Sequence, residues 1–128
     1  LGALGWASTK NLPILVVVED NNYSILTEKK VRRNWNMSNV AKAFKMKGFN
    51  INDNPLNISK YSKYFFKKPC LLNINTNRIY WHSGGGKDSE KTFDRYKSEK
   101  KILGTRANLI DDNTKKLIKR LWKKHLEK

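Results

Sequence analysis

Cysteine occurs once in the 128 residues, at Cys70. An intrachain disulfide is therefore impossible, and a metal site built on clustered thiolates is excluded. That usage fits a reducing interior and sets the expectation of a cytoplasmic protein. Long apolar runs are missing as well. The longest, "LPILVVV" at 12–18, falls far short of the roughly 20 residues that cross a bilayer, so no membrane partner is expected. A basic, signal-type start is absent. The chain opens on "LGALGWAS" without Met, as if inside a helix, and reads as a fragment. Acids are scarce: 11 Asp and Glu face 27 Lys and Arg, a net charge of +16. Such a field attracts polyanions in general. The excess is mostly lysine and runs alongside frequent asparagine, so coding composition accounts for it as readily as a ligand does.

What is present is an α/β alternation. Residues 1–9 read as the last turns of a packed helix carrying Leu1, Leu4 and Ala7, ended by Asn11-Leu12-Pro13. "ILVVV" is apolar on both faces, as in a buried strand of a parallel sheet. "NNYSILTEKKVRRNW" reads as a long polar connection. "SNVAKAFKM" predicts a helix with Ser38 as N-cap, with Val40, Ala43, Phe44 and Met46 near one face and Gly48 closing it. "FNIND" is a short strand and "NDNP" a turn. Ile58, Tyr61, Tyr64 and Phe65 fall at helical spacing. Pro69 opens the strand "CLLNINTNR", in which Leu72, Ile74 and Thr76 alternate with asparagines. A long loop with three consecutive glycines follows. A terminal amphipathic helix over 112–128 is expected to bury Leu117, Ile118, Leu121 and Trp122. Nothing divides the chain, so 1–128 is read as one unit.

Two polar clusters leave the carboxyl ends of two predicted strands, where ligands collect in open α/β sheets. The first is Glu19-Asp20-Asn21-Asn22-Tyr23; the second runs from Arg78 through His82 and Ser83 to Gly84-Gly85-Gly86. Carboxamide and backbone carbonyl oxygens are hard ligands that suit Mg²⁺ held together with a diphosphate. A histidine and free N–H groups of a glycine-rich loop can donate to phosphate oxygens. Each piece has a plainer reading, as a turn former, a surface histidine or a loop tip.

Taken in order, "LPILVVVEDNNYSILT", "VAKAFKMKGFNIND", "CLLNINTNRIYWHS" and "FDRYKSEKKILG" resemble the α subunit of thiamine-diphosphate-dependent 2-oxo acid dehydrogenase E1 components. Glu19, Asn21, Tyr23, Ile25 and Thr27 match that family's second-half cofactor motif, while Asp20, Asn22, Ser24 and Leu26 depart from it. The resemblance implies a three-layer thiamine-diphosphate-binding fold with a mainly parallel sheet, incomplete in this chain. It implies Asn21 as a Mg²⁺ ligand through its side chain and Tyr23 through its backbone carbonyl. Ser24 and Ile25 would line the cofactor pocket, and His82 would contact the phosphate end as the catalytic-loop histidine. It further implies a 2-oxo acid substrate, a β-type E1 subunit in a heterotetramer, and docking to an acyltransferase core. The β-type chain would hold the aminopyrimidine half of the cofactor, and the chemistry itself belongs to the cofactor.

The motif's first half, Gly-Asp-Gly, with the other metal-ligating aspartate, is absent, and Trp81 stands where the family has glycine. These departures leave open a degenerate scaffold of the same fold. A basic nucleic-acid-binding module is the other alternative, resting on the charge and on "KKLIKRLWKKHLEK". It lacks zinc-finger spacing, an aromatic RNA-binding strand and a clear helix-turn-helix, so nucleic acid is an unexpected partner.

Overall fold

A computed structural model describes residues 1–83 and 92–126. The glycine run lies outside the described residues. The chain forms two compact units, Leu1–Phe93 and Asp94–Lys128, and each is described by itself.

The first unit is built on a three-stranded parallel sheet in the order β1-β5-β4, with β1 Leu15–Asp20, β4 Lys47–Asn52 and β5 Cys70–Asn75. Each strand is reached through helical segments, as parallel pairing requires. The registers Leu15↔Cys70 and Lys47↔Cys70 align all three strand starts, and Asp20↔Asn75 and Asn52↔Asn75 align their ends. β5 is central and buried on both faces as far as Ile74, so Asn73 is enclosed rather than turned to solvent. β1 has no strand on its other side among the described residues. Its Val17 is 49% exposed, so the burial expected on both faces is only partial.

Helices cover both faces. On one, α1 (Gly2–Thr9) and α3 (Met37–Ala43) pack Leu4 and Ala41 onto Leu71, with Met46 from the turn after α3 and with Val16 and Val18 alongside. On the other, α4 (Pro55–Lys60) and the 3₁₀ turn Ser62–Tyr64 lead Ile58, Tyr61 and Phe65 onto Ile51, Leu72 and Ile74. Burying a leucine as fully as Leu71 or Leu72 contributes roughly 1.5–3 kcal/mol. This helix–sheet–helix layering is the α/β class expected from the sequence.

Local chemistry explains where the sequence reading shifts. The cap of α3 is Asn36, not Ser38: the Asn36 carboxamide oxygen accepts from the Asn39 N–H at 2.9 Å and from the Ser38 hydroxyl at 2.6 Å. Ser38 is buried as the second residue of the helix, and Ala41 takes the inward position expected of Ala43, which is exposed. Gly48 does not close that helix. The chain turns at Lys45 (φ 60°), and Gly48 lies within β4, where a Cβ would collide with the Ser38 carbonyl. Asn54 caps α4, accepting from Leu56 and Asn57, with Pro55 at the first helical position. The polar connection after β1 contains a hairpin, β2 (Tyr23–Ser24) with β3 (Thr27–Glu28), and a single turn α2 (Lys29–Arg32).

The second unit holds α5 (Arg95–Leu103) and α6 (Thr105–Leu126). The segment expected to be loop before the last helix is therefore helical. Asp94 caps it by accepting from the Lys97 N–H at 3.0 Å. Gly104, at φ 57°, separates the two helices. α6 begins at 105, earlier than the expected 112, and its apolar stripe is not buried. Leu117, Ile118, Leu121 and Trp122 are all exposed, since only Ala107 of this helix is enclosed among the described residues. Lys100 and Tyr96 of α5 both donate to Asp111 of α6, at 2.6 and 2.5 Å.

Candidate functional site

Parallel pairing in register puts the ends of β1 and β5 side by side, so the two polar clusters picked out in the sequence leave the same edge of the sheet. The Thr76 N–H donates to the Asp20 carbonyl at 3.0 Å, extending the ladder one residue beyond the strands. Past this point Arg78 ties the two segments together. Its guanidinium donates to the Ile25 carbonyl at 2.6 Å and lies 4.9 Å from the centre of the Tyr23 ring.

The exit from β1 is a folded turn. The Asn21 carboxamide oxygen accepts from the Tyr23 N–H at 3.0 Å, and Asn22 adopts φ 67°. Asparagine accepts both roles because its short side chain hydrogen-bonds locally and tolerates left-handed backbone. The Lys29 N–H then donates to the Asn22 carbonyl at 2.8 Å, closing the base of the hairpin. Ile25, at its tip, also has a positive φ of 55°. For a β-branched residue that is an outlier, with a cost of order 1–3 kcal/mol met by the surrounding contacts.

Asp20 is the electrostatic hub. Its Oδ1 accepts from the Asn22 N–H at 3.1 Å, and its Oδ2 accepts from Lys29 Nζ and Arg33 Nη2 at 2.8 Å each. Arg33 is held from behind by the Trp35 ring, 4.9 Å away. Burial would raise the Asp20 carboxyl. The hydrogen bond from Lys29, the Asn22 N–H and the two cations outweigh it and hold the group below the usual carboxylate value. The Asp20 charge is therefore spent on Lys29 and Arg33. A cleft of about 280 Å³ opens here, lined by Asp20, Tyr23, Ser24, Lys29, Arg32 and Trp35 among others.

Behind Asp20 a polar seam enters the core. Asn73 Nδ2 donates to Asn50 Oδ1 at 2.8 Å and approaches Asp20 Oδ2 at 3.5 Å. Asn73 Oδ1 is buried with no hydrogen-bond partner among the described residues.

Asn21, Tyr23, Ser24 and Ile25 thus share one small hairpin, with Tyr23 and Ile25 exposed and Ser24 half-buried. His82 is exposed on the segment after β5, and no hydrogen bond or ion pair joins it to the hairpin among the described residues. Arg78, Lys29 and Arg33 are structural members of the site to which the sequence reading gave no role. Lys29 and Arg33 stand four residues apart, the spacing that brings two cations to one helical face.

The donor set available for a cation is oxygen only. No group of three or more His, Cys, Asp or Glu side chains clusters among the described residues. The Asn21 carboxamide uses its oxygen once, as acceptor from Tyr23, and a carbonyl oxygen has a second lone pair. Asn21 Oδ1 and the Tyr23 carbonyl therefore fit two positions of a hard-cation shell and cannot fill it alone.

No helix among the described residues is long and apolar enough to cross a membrane. No curated protein and no solved structure is matched by the chain. A family model, described as dehydrogenase E1 component, matches residues 1–127. With nearly the whole chain matched, and a parallel α/β sheet delivering both polar clusters to one edge, the chain belongs to the dehydrogenase E1 component family, a thiamine-diphosphate-dependent class.

Proposed function

We propose that this chain is the diphosphate-holding part of an α-type E1 subunit, acting with a β-type subunit on a 2-oxo acid. The observation that carries this reading is the Asn21–Tyr23 turn at the exit of β1, beside the exit of β5 and fastened to it by Arg78. Asn21, through its carboxamide oxygen, and Tyr23, through its backbone carbonyl, would ligate Mg²⁺. Ser24 and Ile25 would line the pocket, and His82 would donate to the phosphate end. When bound, thiamine diphosphate supplies the electron sink for decarboxylation.

The protein's part is positioning. The Asx turn fixes the Asn21 oxygen, the hairpin base fixes the direction of the Tyr23 carbonyl, and Asp20, neutralised by Lys29 and Arg33, puts no free carboxylate against an incoming diphosphate. The Arg78 guanidinium adds positive charge at the same edge. A cytoplasmic setting and docking to an acyltransferase core belong to the same reading.

The test is turnover. The full-length gene product, combined with its β-type subunit, is assayed for 2-oxo-acid-dependent reduction of an artificial electron acceptor, alongside Asn21→Ala and His82→Ala. Cofactor- and Mg²⁺-dependent reduction that drops at least about a hundredfold in Asn21→Ala supports the reading. Reduction indifferent to the Asn21 change overturns it.

A further inference from the structure

At the opposite edge of the sheet, where β4 and β5 begin, a second cleft of about 240 Å³ is ringed by Lys47, Lys63, Lys67 and Lys68. Its remaining lining is Tyr64, Pro69 and Cys70, an apolar wall with the buried Cys70 at its base. Lys47 and Cys70 are registered partners at the first rung of the sheet. Asn21 leaves the last rung of β1, so this cleft and the proposed metal site lie at opposite ends of the strands.

None of the four lysines has a carboxylate within ion-pair distance among the described residues. Four like charges around one small cleft repel one another, and the fold nevertheless holds them together. The Lys47 and Lys63 ammonium groups lie 4.3 and 5.3 Å from the centre of the Tyr64 ring. That ring is stacked on Phe49 at 5.0 Å. Phe66, just before Lys67, takes φ 56°, a left-handed conformation that is strained for a bulky residue and turns the chain there.

We infer that this cleft binds a compact oligophosphate, two or three linked phosphate groups, with the lysines as point-charge donors. Ammonium groups need no planar fork and suit a phosphate approached from several sides. All four lysines are exposed, so the attraction is that of solvated charges and weakens as salt rises. The volume lies below the roughly 300–1,000 Å³ of sites for drug-sized molecules, which favours a small, highly charged ligand. The same chemistry is offered by an inorganic oligophosphate and by the tail of a nucleoside triphosphate.

The test is calorimetric titration of inorganic triphosphate into the full chain at low ionic strength, without divalent metal, with ATP as a second arm. The variants are the doubles Lys67→Gln/Lys68→Gln at the cleft and Lys116→Gln/Lys119→Gln on α6, which change the net charge equally. Saturable one-site binding is expected, weakened at least about tenfold in the first double and unchanged in the second. Equal affinity for both probes assigns recognition to the phosphates, and tighter ATP binding adds a nucleoside contact; both support the site. Absence of saturable binding, or equal losses in the two doubles, overturns it, the latter as a mere effect of net charge. Asn21→Ala should bind triphosphate like the parent, so this result stands or falls apart from the metal site.

Discussion

Arg78 reaches back from the segment after β5 to the Ile25 carbonyl, 2.6 Å from its guanidinium, and so clamps the hairpin that carries Asn21 and Tyr23. The contact is long-range in sequence and lies at an exposed tip. Arg78→Ala should therefore leave global stability within about 1 kcal/mol. It should weaken Mg²⁺-dependent binding of thiamine diphosphate about tenfold, because one charge-assisted hydrogen bond holding Ile25 in its left-handed conformation is lost. Arg78→Lys keeps the charge without the planar fork and should fall between. Thermal melts beside cofactor titrations separate the two effects.

Asp20 sets a pH dependence whose sign is fixed by its partners. Its folded-state carboxyl lies below the ordinary value, with burial opposed and outweighed by Lys29, the Asn22 N–H and Arg33. The stabilisation is therefore present above the unfolded value of about 3.9 and is lost as pH falls through the lower folded value. Asp20→Asn leaves Lys29 and Arg33 facing each other without a counter-charge. It should cost roughly 2–3 kcal/mol at neutral pH. Urea unfolding between about pH 6 and pH 3 should show a steeper acid loss in the parent than in the variant.

At Gly48 the α3 backbone lies close against the sheet. A Cβ there meets backbone atoms of Ser38 rather than a side chain that can swing away. Gly48→Ala should destabilise the protein by about 1–3 kcal/mol through forced separation of α3 from β4. Chemical denaturation measures it, and Gly2→Ala, where an added Cβ meets nothing, serves as the control.

Cys70 is 1% exposed at the first rung of the central strand. Burial pushes its thiol up, only partly opposed by Lys47. The native protein at neutral pH should resist a thiolate-directed reagent, and the labelling rate should follow the unfolding equilibrium as denaturant is added. Prompt stoichiometric labelling without denaturant would show that the base of the second cleft is open.

Much of the sheet was legible because its strands carry their own signal. "ILVVV" and "CLLNI" are largely apolar runs, each preceded by Pro and followed by a polar residue, and both form parallel strands. The site was legible in part. Asn21 and Tyr23 stand out at a strand exit, but the partners that shape them act over distances a sequence pattern does not carry. Arg78 binds a carbonyl 53 residues earlier. Lys29 and Arg33 looked like ordinary solvated cations until the hairpin folded them onto Asp20. Ser38 was read as a cap because serine is a good one, but Asn36 lies two residues earlier with a longer reach. The stripe on α6 has the right period for burial, and period alone does not say what a helix is packed against.

The most direct test of the central claim is calorimetric titration of thiamine diphosphate, with and without Mg²⁺, into the full-length gene product and its Asn21→Ala variant, each with the β-type subunit present. Binding should require Mg²⁺ and weaken at least about tenfold in the variant. Binding that is independent of Mg²⁺, or equally tight in Asn21→Ala, would contradict the assignment of the Asn21–Tyr23 turn as the metal-diphosphate site.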